Sequence, residues 1–169
     1  MFLNNGIEQG RNSVDFLEQL VAEWYEYKGH YVRTNIKFGK RPKGGYEGEI
    51  DIAAFQPKER KVIHIEASMD SLPWDRREER FTKKFNDAAN HYKEIFNFDY
   101  KGVEKIAIVG FSRAPNHDKF NGDIKIRQVP DLIKEIIGEL KFKDPMQAIV
   151  PESYPLLRAM QFAAAYSDG

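Results

Sequence analysis

The sequence predicts one α/β domain in which helices flank a mixed β-sheet, and three observations lead there. The elements follow the order αβββαββα, which is the order of a mixed sheet with helical layers. Ile106-Ala107-Ile108-Val109 is a near-continuous apolar run, as expected of a strand buried on both faces. Gly48–Ile52 and Ile63–Ser68 alternate apolar and polar residues on either side of a turn-like Gln56-Pro57-Lys58-Glu59, as the arms of a hairpin do. The length of 169 residues suits a single domain with its own core. We place that core at about residues 8–141, with a C-terminal helical extension at about 142–169. No internal repeat or low-complexity segment interrupts it.

Each element has its own justification. From about Gln9 to Lys28, Val14, Leu17, Leu20, Val21, Trp24 and Tyr25 recur at helical spacing, and Gly29 supplies a stop. On the wheel Glu18 borders the apolar arc, whereas Glu23 projects to the solvent side. Tyr31–Phe38 reads as a first strand, and Gly39–Gly45 as a flexible basic loop without the Gly-x-x-x-x-Gly-Lys-Ser/Thr pattern of a phosphate loop. The hairpin follows. Residues from about Pro73 to Phe98 predict one long amphipathic helix, with Trp74, Phe81, Phe85, Ala88, Tyr92 and Ile95 on a stripe. Lys105–Phe111 and Ile124–Val129 are further strands. Pro130 suits the first turn of a helix running to about Leu140. Ser153 is the expected cap of a last helix, Tyr154–Tyr166, with Leu156, Leu157, Met160 and Ala164 on one face. Packing on the domain is its simplest role, and a homodimer contact is the sharper expectation.

Composition narrows the function classes. Lys plus Arg and Asp plus Glu each total 26, so the formal net charge is zero and no basic excess points to nucleic acid directly. There is no cysteine, which excludes disulfides and thiol chemistry and is compatible with a cytoplasmic setting. Met1–Gly10 lacks a basic segment and a sustained apolar core, so no signal peptide is expected, and no run approaches membrane-spanning length. No Gly-x-Ser-x-Gly, zinc-spaced histidine cluster or dinucleotide fingerprint occurs. Asn116-His117-Asp118 reads as surface loop.

The chemistry sits in the hairpin. Aspartate is depleted from strands, and an ionised carboxylate is costly to bury unpaired. Strand parity puts Glu49, Asp51, Ala53 and Phe55 on one face and Val62, His64, Glu66 and Ser68 on one face of the next strand. If the turn is Pro57–Arg60, with Gln56 opposite Lys61, then Asp51 faces Glu66, Glu49 faces Ser68 and Ala53 faces His64. Ile50, Ile52, Ala54, Ile63, Ile65 and Ala67 form the apolar face. Two facing carboxylates repel, so the pair implies a shared proton or a bound cation, hence metal-assisted chemistry. The competing reading is an edge hairpin whose polar face is merely solvated.

An acidic residue in an opening helix, an Asp in a strand and a Glu-x-x in the next resemble the PD-(D/E)XK nuclease superfamily, the restriction-endonuclease-like fold. The resemblance spans roughly the first two thirds of the chain. Asp51 matches its metal-binding Asp, Glu66 its second acidic ligand and Glu18 the acidic residue of its first helix; Gly29-His30-Tyr31-Val32 resembles the link into the first strand. Ile50 replaces the eponymous Pro, and Ser68 stands where the Lys is expected. The resemblance implies a Mg2+- or Mn2+-dependent nuclease acting on nucleic acid, DNA in preference to RNA, with Asp51 and Glu66 as ligands and Glu18 holding a second ion or a water. Glu49 is a weaker candidate. Ser68 offers a hydrogen bond to the attacking water but no charge. Lys84, on the inward stripe of the long helix, is the residue expected to supply that charge. Arg77 projects the same way and is expected to meet a carboxylate or phosphate. Arg33, Lys37, Lys40, Arg41 and Lys43 form a basic region suited to phosphate contacts. His64 is a ligand or, more ordinarily, a hydrogen-bonding neighbour. A catalytically silent nucleic-acid-binding or scaffolding domain is the alternative.

Overall fold

The computed structural model describes residues 15–110 and 118–167. The helical positions expected before Asp15, the strand end at Phe111, and Asn116 and His117 lie outside them. Among the described residues five strands form one sheet in the order β1-β2-β3-β4-β5: β1 (Tyr31–Lys40), β2 (Tyr46–Gln56), β3 (Lys61–Ser68), β4 (Gly102–Val109) and β5 (Lys125–Gln128). β1–β2 and β2–β3 are antiparallel, whereas β3–β4 and β4–β5 are parallel, so the sheet is mixed as expected. α1 (Phe16–Tyr27), α4 (Val129–Leu140) and α5 (Pro155–Tyr166) pack on one face, where Leu17, Val21 and Trp24 meet Ile52, Ile65, Ile108, Leu132, Ile136 and Leu157. α2 (Trp74–Ala89) and the one-turn α3 (Tyr92–Ile95) cover the other face, through Phe81, Phe85, Ala88 and Tyr92. Among the described residues, no helix is long and apolar enough to cross a membrane.

Local chemistry explains most boundaries. Asp15 caps α1, its carboxylate accepting the Leu17 N–H at 2.8 Å. Gly29 follows with a φ of 84°, the left-handed conformation that ends helices and that glycine adopts without strain. The long helix expected over 73–98 breaks at Asn90. There the His91 N–H bonds the Ala88 carbonyl, tightening the last turn, and the chain restarts as α3. No Gly or Pro marks that break.

The hairpin departs from simple parity. Ile52, Ala54, Ile63, Ile65 and Ala67 join the α1 side as expected, but Ile50 packs with Ile36 and Phe38 in the cluster on the α2–α3 side. The change falls at Asp51. Across from it on β1, Asn35 takes a φ of 53° and drops out of the ladder between the pairs Thr34↔Ile52 and Ile36↔Ile50. A left-handed residue in an edge strand rotates the following stretch, and the distal half of the hairpin turns with it. Phe38 then lies over Gly48, where any Cβ would meet its Cζ at 2.5 Å.

Glu23 is the other correction. It is buried rather than solvent-facing, and its Oε2 accepts the Leu156 and Leu157 N–H groups at 2.9 and 3.0 Å. α5 begins at Pro155 behind Tyr154, and Ser153 does not cap it. A carboxylate from α1 therefore supplies the N-terminal acceptor that α5 lacks locally. The buried face of α5 (Leu157, Gln161, Ala164) is used against its own domain.

Removing an acceptor that leaves one buried and one half-buried N–H group unpaired costs about 1–3 kcal/mol, or more when the acceptor is charged. Glu23→Ala should therefore lower the free energy of unfolding by at least that amount in urea denaturation, while Glu26→Ala on the exposed side of α1 should change it little. Equal effects at the two positions would reject the capping role.

Candidate active site

The β2–β3 turn is closed by Arg60 at a φ of 54°, and the register runs from Gln56↔Lys61 through Ala53↔His64 to Ile52↔Ile65, as parity predicts. There it ends, while β3 continues on β4 as far as Ser68↔Val109. β2 and β3 thus fork beyond Ile52. Glu49 pairs with Lys37 of β1 and does not oppose Ser68. Inside the fork the Asp51 carboxylate, rather than a strand carbonyl, accepts the Ala67 N–H at 3.0 Å. This satisfies a buried donor that the parting strands would otherwise orphan. Asp51 is 7% exposed and Glu66 fully buried.

Lys84 enters the fork from α2. Its Nζ lies 3.0 Å from Asp51 Oδ1 and 3.1 Å from Oδ2, and it ion-pairs with Glu66 Oε2. Lys83 points outward to Asp87. Behind Glu66 runs a buried chain. His64 Nε2–H donates to Glu66 Oε1 at 2.7 Å, and Tyr92 O–H donates to His64 Nδ1 at 2.6 Å. Because a carboxylate only accepts, this order fixes the neutral tautomer. His64 thereby serves as a hydrogen-bonding neighbour.

The charge states follow from burial. Desolvation, reinforced by the neighbouring Glu66 carboxylate, pushes the Asp51 carboxyl up to about 6. Desolvation and then the charge of Asp51 push Glu18 up to about 7. Burial alone would lower Lys84, but Glu66 and Asp51 outweigh it and hold its ammonium above the ordinary lysine range. Burial drives His64 down to about 3.

The donor set is hard oxygen. Asp51 Oδ1 and Glu66 Oε2 converge on one point, which the Lys84 ammonium marks as a place for positive charge. Magnesium binds through one or two carboxylates and retains several waters, so this pair fits it. Among the described residues no three Asp, Glu, His or Cys side chains converge on a common point, so Glu18 does not join Asp51 and Glu66 as a third donor, though its carboxyl feels the charge of Asp51.

Ser68 does not face the fork as a free donor. Its hydroxyl donates to Asp70 Oδ2 at 2.7 Å. Asp70 also accepts from Leu72 N–H, Arg77 Nε at 3.1 Å and Arg80 Nη1 at 2.6 Å. Partial burial would raise the Asp70 carboxyl, yet the bonds from Ser68, Leu72 and Arg77 hold it below the usual range. Arg77 is therefore buried and committed to Asp70, and does not present its guanidinium to a phosphate. Arg33, Lys37, Lys40, Arg41 and Lys43 are exposed along β1 and its turn, with Lys37 5.8 Å from the Tyr46 ring centre. Asp70 and Tyr92 are the site-supporting residues that sequence reading passed over. An acidic residue two positions beyond β3, seven before an inward arginine, was the available signal for Asp70.

No family model matches the chain, and no curated protein matches it. Among solved structures, the crystal structure of a protein of unknown function, AF1548, is similar at 14% identity and a TM-score of 0.45, covering 88% of this chain and 96% of that one.

A carboxyl raised in the folded state is protonated there after the unfolded chain has lost its proton, so the unfolded state binds fewer protons and stability falls as pH rises. For Glu18 that window runs from its ordinary 4.5 to about 7. Thermal melts in EDTA should show stability declining across it, and Glu18→Gln should flatten the upper part. A decline of unchanged slope in the variant would show that Glu18 is not the titrating group.

Proposed function

We propose that the chain is a divalent-metal-dependent nuclease of the restriction-endonuclease-like kind, cleaving phosphodiester bonds in nucleic acid, DNA in preference to RNA, in the cytoplasm. One observation carries this reading: Asp51, Glu66 and Lys84, drawn from two strands and a helix, meet in the fork between β2 and β3. Asp51 and Glu66 would hold the ion, Mg2+ or Mn2+. When bound, the ion polarises the phosphoryl oxygen and lowers the pKa of the attacking water.

The remaining roles belong to the chain. Two buried carboxylates next to a lysine form a site whose charge is nearly balanced when a substrate phosphate and a cation enter together. Lys84 has three donors on a flexible stem, and with Asp51 and Glu66 engaged elsewhere it would bond a phosphate oxygen or the nucleophile. This assigns to Lys84 the charge that Ser68 cannot supply. Glu18, whose carboxyl feels the charge of Asp51, would orient water or hold a second ion. His64 and Tyr92 hold Glu66 in a single orientation from behind. The exposed basic residues of β1 position the backbone without reading sequence.

A second reading, a silent nucleic-acid-binding domain, draws support from the ion pairs themselves, because Lys84 already occupies the place between the carboxylates and offsets one of their two charges. A metal-supplemented assay on single-stranded, duplex and branched substrates separates the two. In it, Asp51→Asn and Glu66→Gln should each abolish cleavage while the fold persists. Lys84→Ala should lower the rate by ~10²–10³, the cost of one charged stabiliser, and Lys83→Ala should have little effect. Ser68→Lys should restore activity in the Lys84→Ala background. Full activity in either carboxylate variant would overturn the ligand assignment, and absence of cleavage by the parent on every substrate would favour the silent domain.

A further inference from the structure

The sheet face that carries Asp51 continues along β2 into a second concavity, distinct in character from the fork. A cavity of about 360 Å³ lies beside Ala53, Phe55 and Val62, with Phe96 and Phe98 across from them. That volume is in the range of small-ligand pockets. Ala53 is two residues from Asp51 along β2, so the backbone lining the cavity is about 7 Å along the strand from that of Asp51. Phe98 packs edge-to-face on Phe55 with ring centres 4.8 Å apart, yet remains 45% exposed. Tyr31, the register partner of Phe55, is 73% exposed beside it.

The polar groups at this cavity are few. Asp99 is taken up by Arg60. Arg33, opposite Ala53 on the edge strand, makes no hydrogen bond or ion pair among the described residues. An apolar slot with exposed aromatic faces and one uncompensated guanidinium matches a ligand that has a flat π-face and an anionic neighbour. A nucleotide with its base unpaired has both. A base inside a duplex does not present its face, so a slot of this kind would discriminate between strand states.

We infer that this cavity is a nucleobase-stacking subsite, in which Phe98 and Tyr31 receive an unpaired base and Arg33 takes its adjoining phosphate. It rests on the nuclease reading and sharpens it: the preferred substrate is single-stranded nucleic acid, or a junction or flap with a displaced base next to the scissile phosphate. A second copy of this chain is the competing occupant, and the test includes it.

The measurement is binding in EDTA, where cleavage does not run, using an end-labelled single-stranded oligonucleotide, its duplex, and a version carrying 2-aminopurine. The parent should bind the single strand more tightly than the duplex and quench the 2-aminopurine. Phe98→Leu keeps apolar bulk without a stacking face, and should weaken single-strand binding on the order of 10- to 100-fold, leave duplex binding within about twofold and abolish the quenching. Phe98→Tyr should retain both. Arg33→Ala should reduce the salt slope by about 0.7, the value of one single-strand phosphate contact. Melting curves establish that the variants fold, and should Phe98→Leu melt early, Arg33→Ala and Tyr31→Leu provide the reading. Equal losses on single strand and duplex, unchanged quenching, no binding of the single strand by the parent, or self-association of the parent that Phe98→Leu abolishes would each overturn the subsite. Cleavage that persists alongside any of these leaves the nuclease reading standing, and stacking without cleavage in any metal refutes that reading alone.

Discussion

Two carboxylates buried within reach of each other are stable only if something positive lies between them, and in this chain that is the ammonium of Lys84. The arrangement sets demands on everything around it. Desolvating a carboxylate and a lysine costs several kcal/mol per ion, and only close pairing with further hydrogen bonds offsets this. The additional bonds are present: the Ala67 N–H on Asp51, and the His64–Tyr92 chain on Glu66. The parting of β2 from β3 makes room for the lysine, and α2 must lie at one height along the sheet for its stem to arrive. Asp70 secures that height by tying the end of β3, through Ser68, to Arg77 and Arg80 in the first two turns of α2.

The site is therefore built in layers of different stiffness. His64 and Tyr92 are packed against Phe85 and Phe96 and have no freedom to turn. Asp51 and Glu66 are fixed by them and by the backbone. Lys84 is the adaptable member, since a four-carbon stem reaches from the helix and its ammonium can exchange partners without moving α2. A centre that must admit an ion and a phosphate needs one such component, and rigid carboxylates to judge the fit.

How much of this was legible follows from which forces are local. The hairpin turn and the facing of Ala53 and His64 came from period-two counting, which needs only neighbouring residues. Lys84 came from a helical wheel, for the same reason. Ile50 was misplaced because the count assumed a regular ladder, and nothing in the residue names shows that Asn35 adopts a left-handed φ opposite Asp51. The break at Asn90 was hidden because its cause is tertiary: Tyr92 must meet His64, and no Gly or Pro announces it. Glu23 defeated the wheel, which tells inward from outward but cannot foresee a partner supplied by another helix. Ser68 was read against an imagined water, when the competing acceptor two residues on was closer.

The Glu23 contact also has a temporal side. Its acceptor oxygen and the N–H groups it receives are separated by 133 and 134 residues. Loop closure over that distance is entropically among the costlier events in the chain, and long-range contacts of this kind slow folding. On a ribosome, the α1 carboxylate is exposed long before Leu156 and Leu157 exist, so the sheet and its first helix must stand without their last helical cover. Leu17 and Val21 of α1, the helix on which α5 packs, pass through that interval with one side of their layer open. The exposed interval in the folding of this protein thus falls before α5 docks on the Glu23 carboxylate.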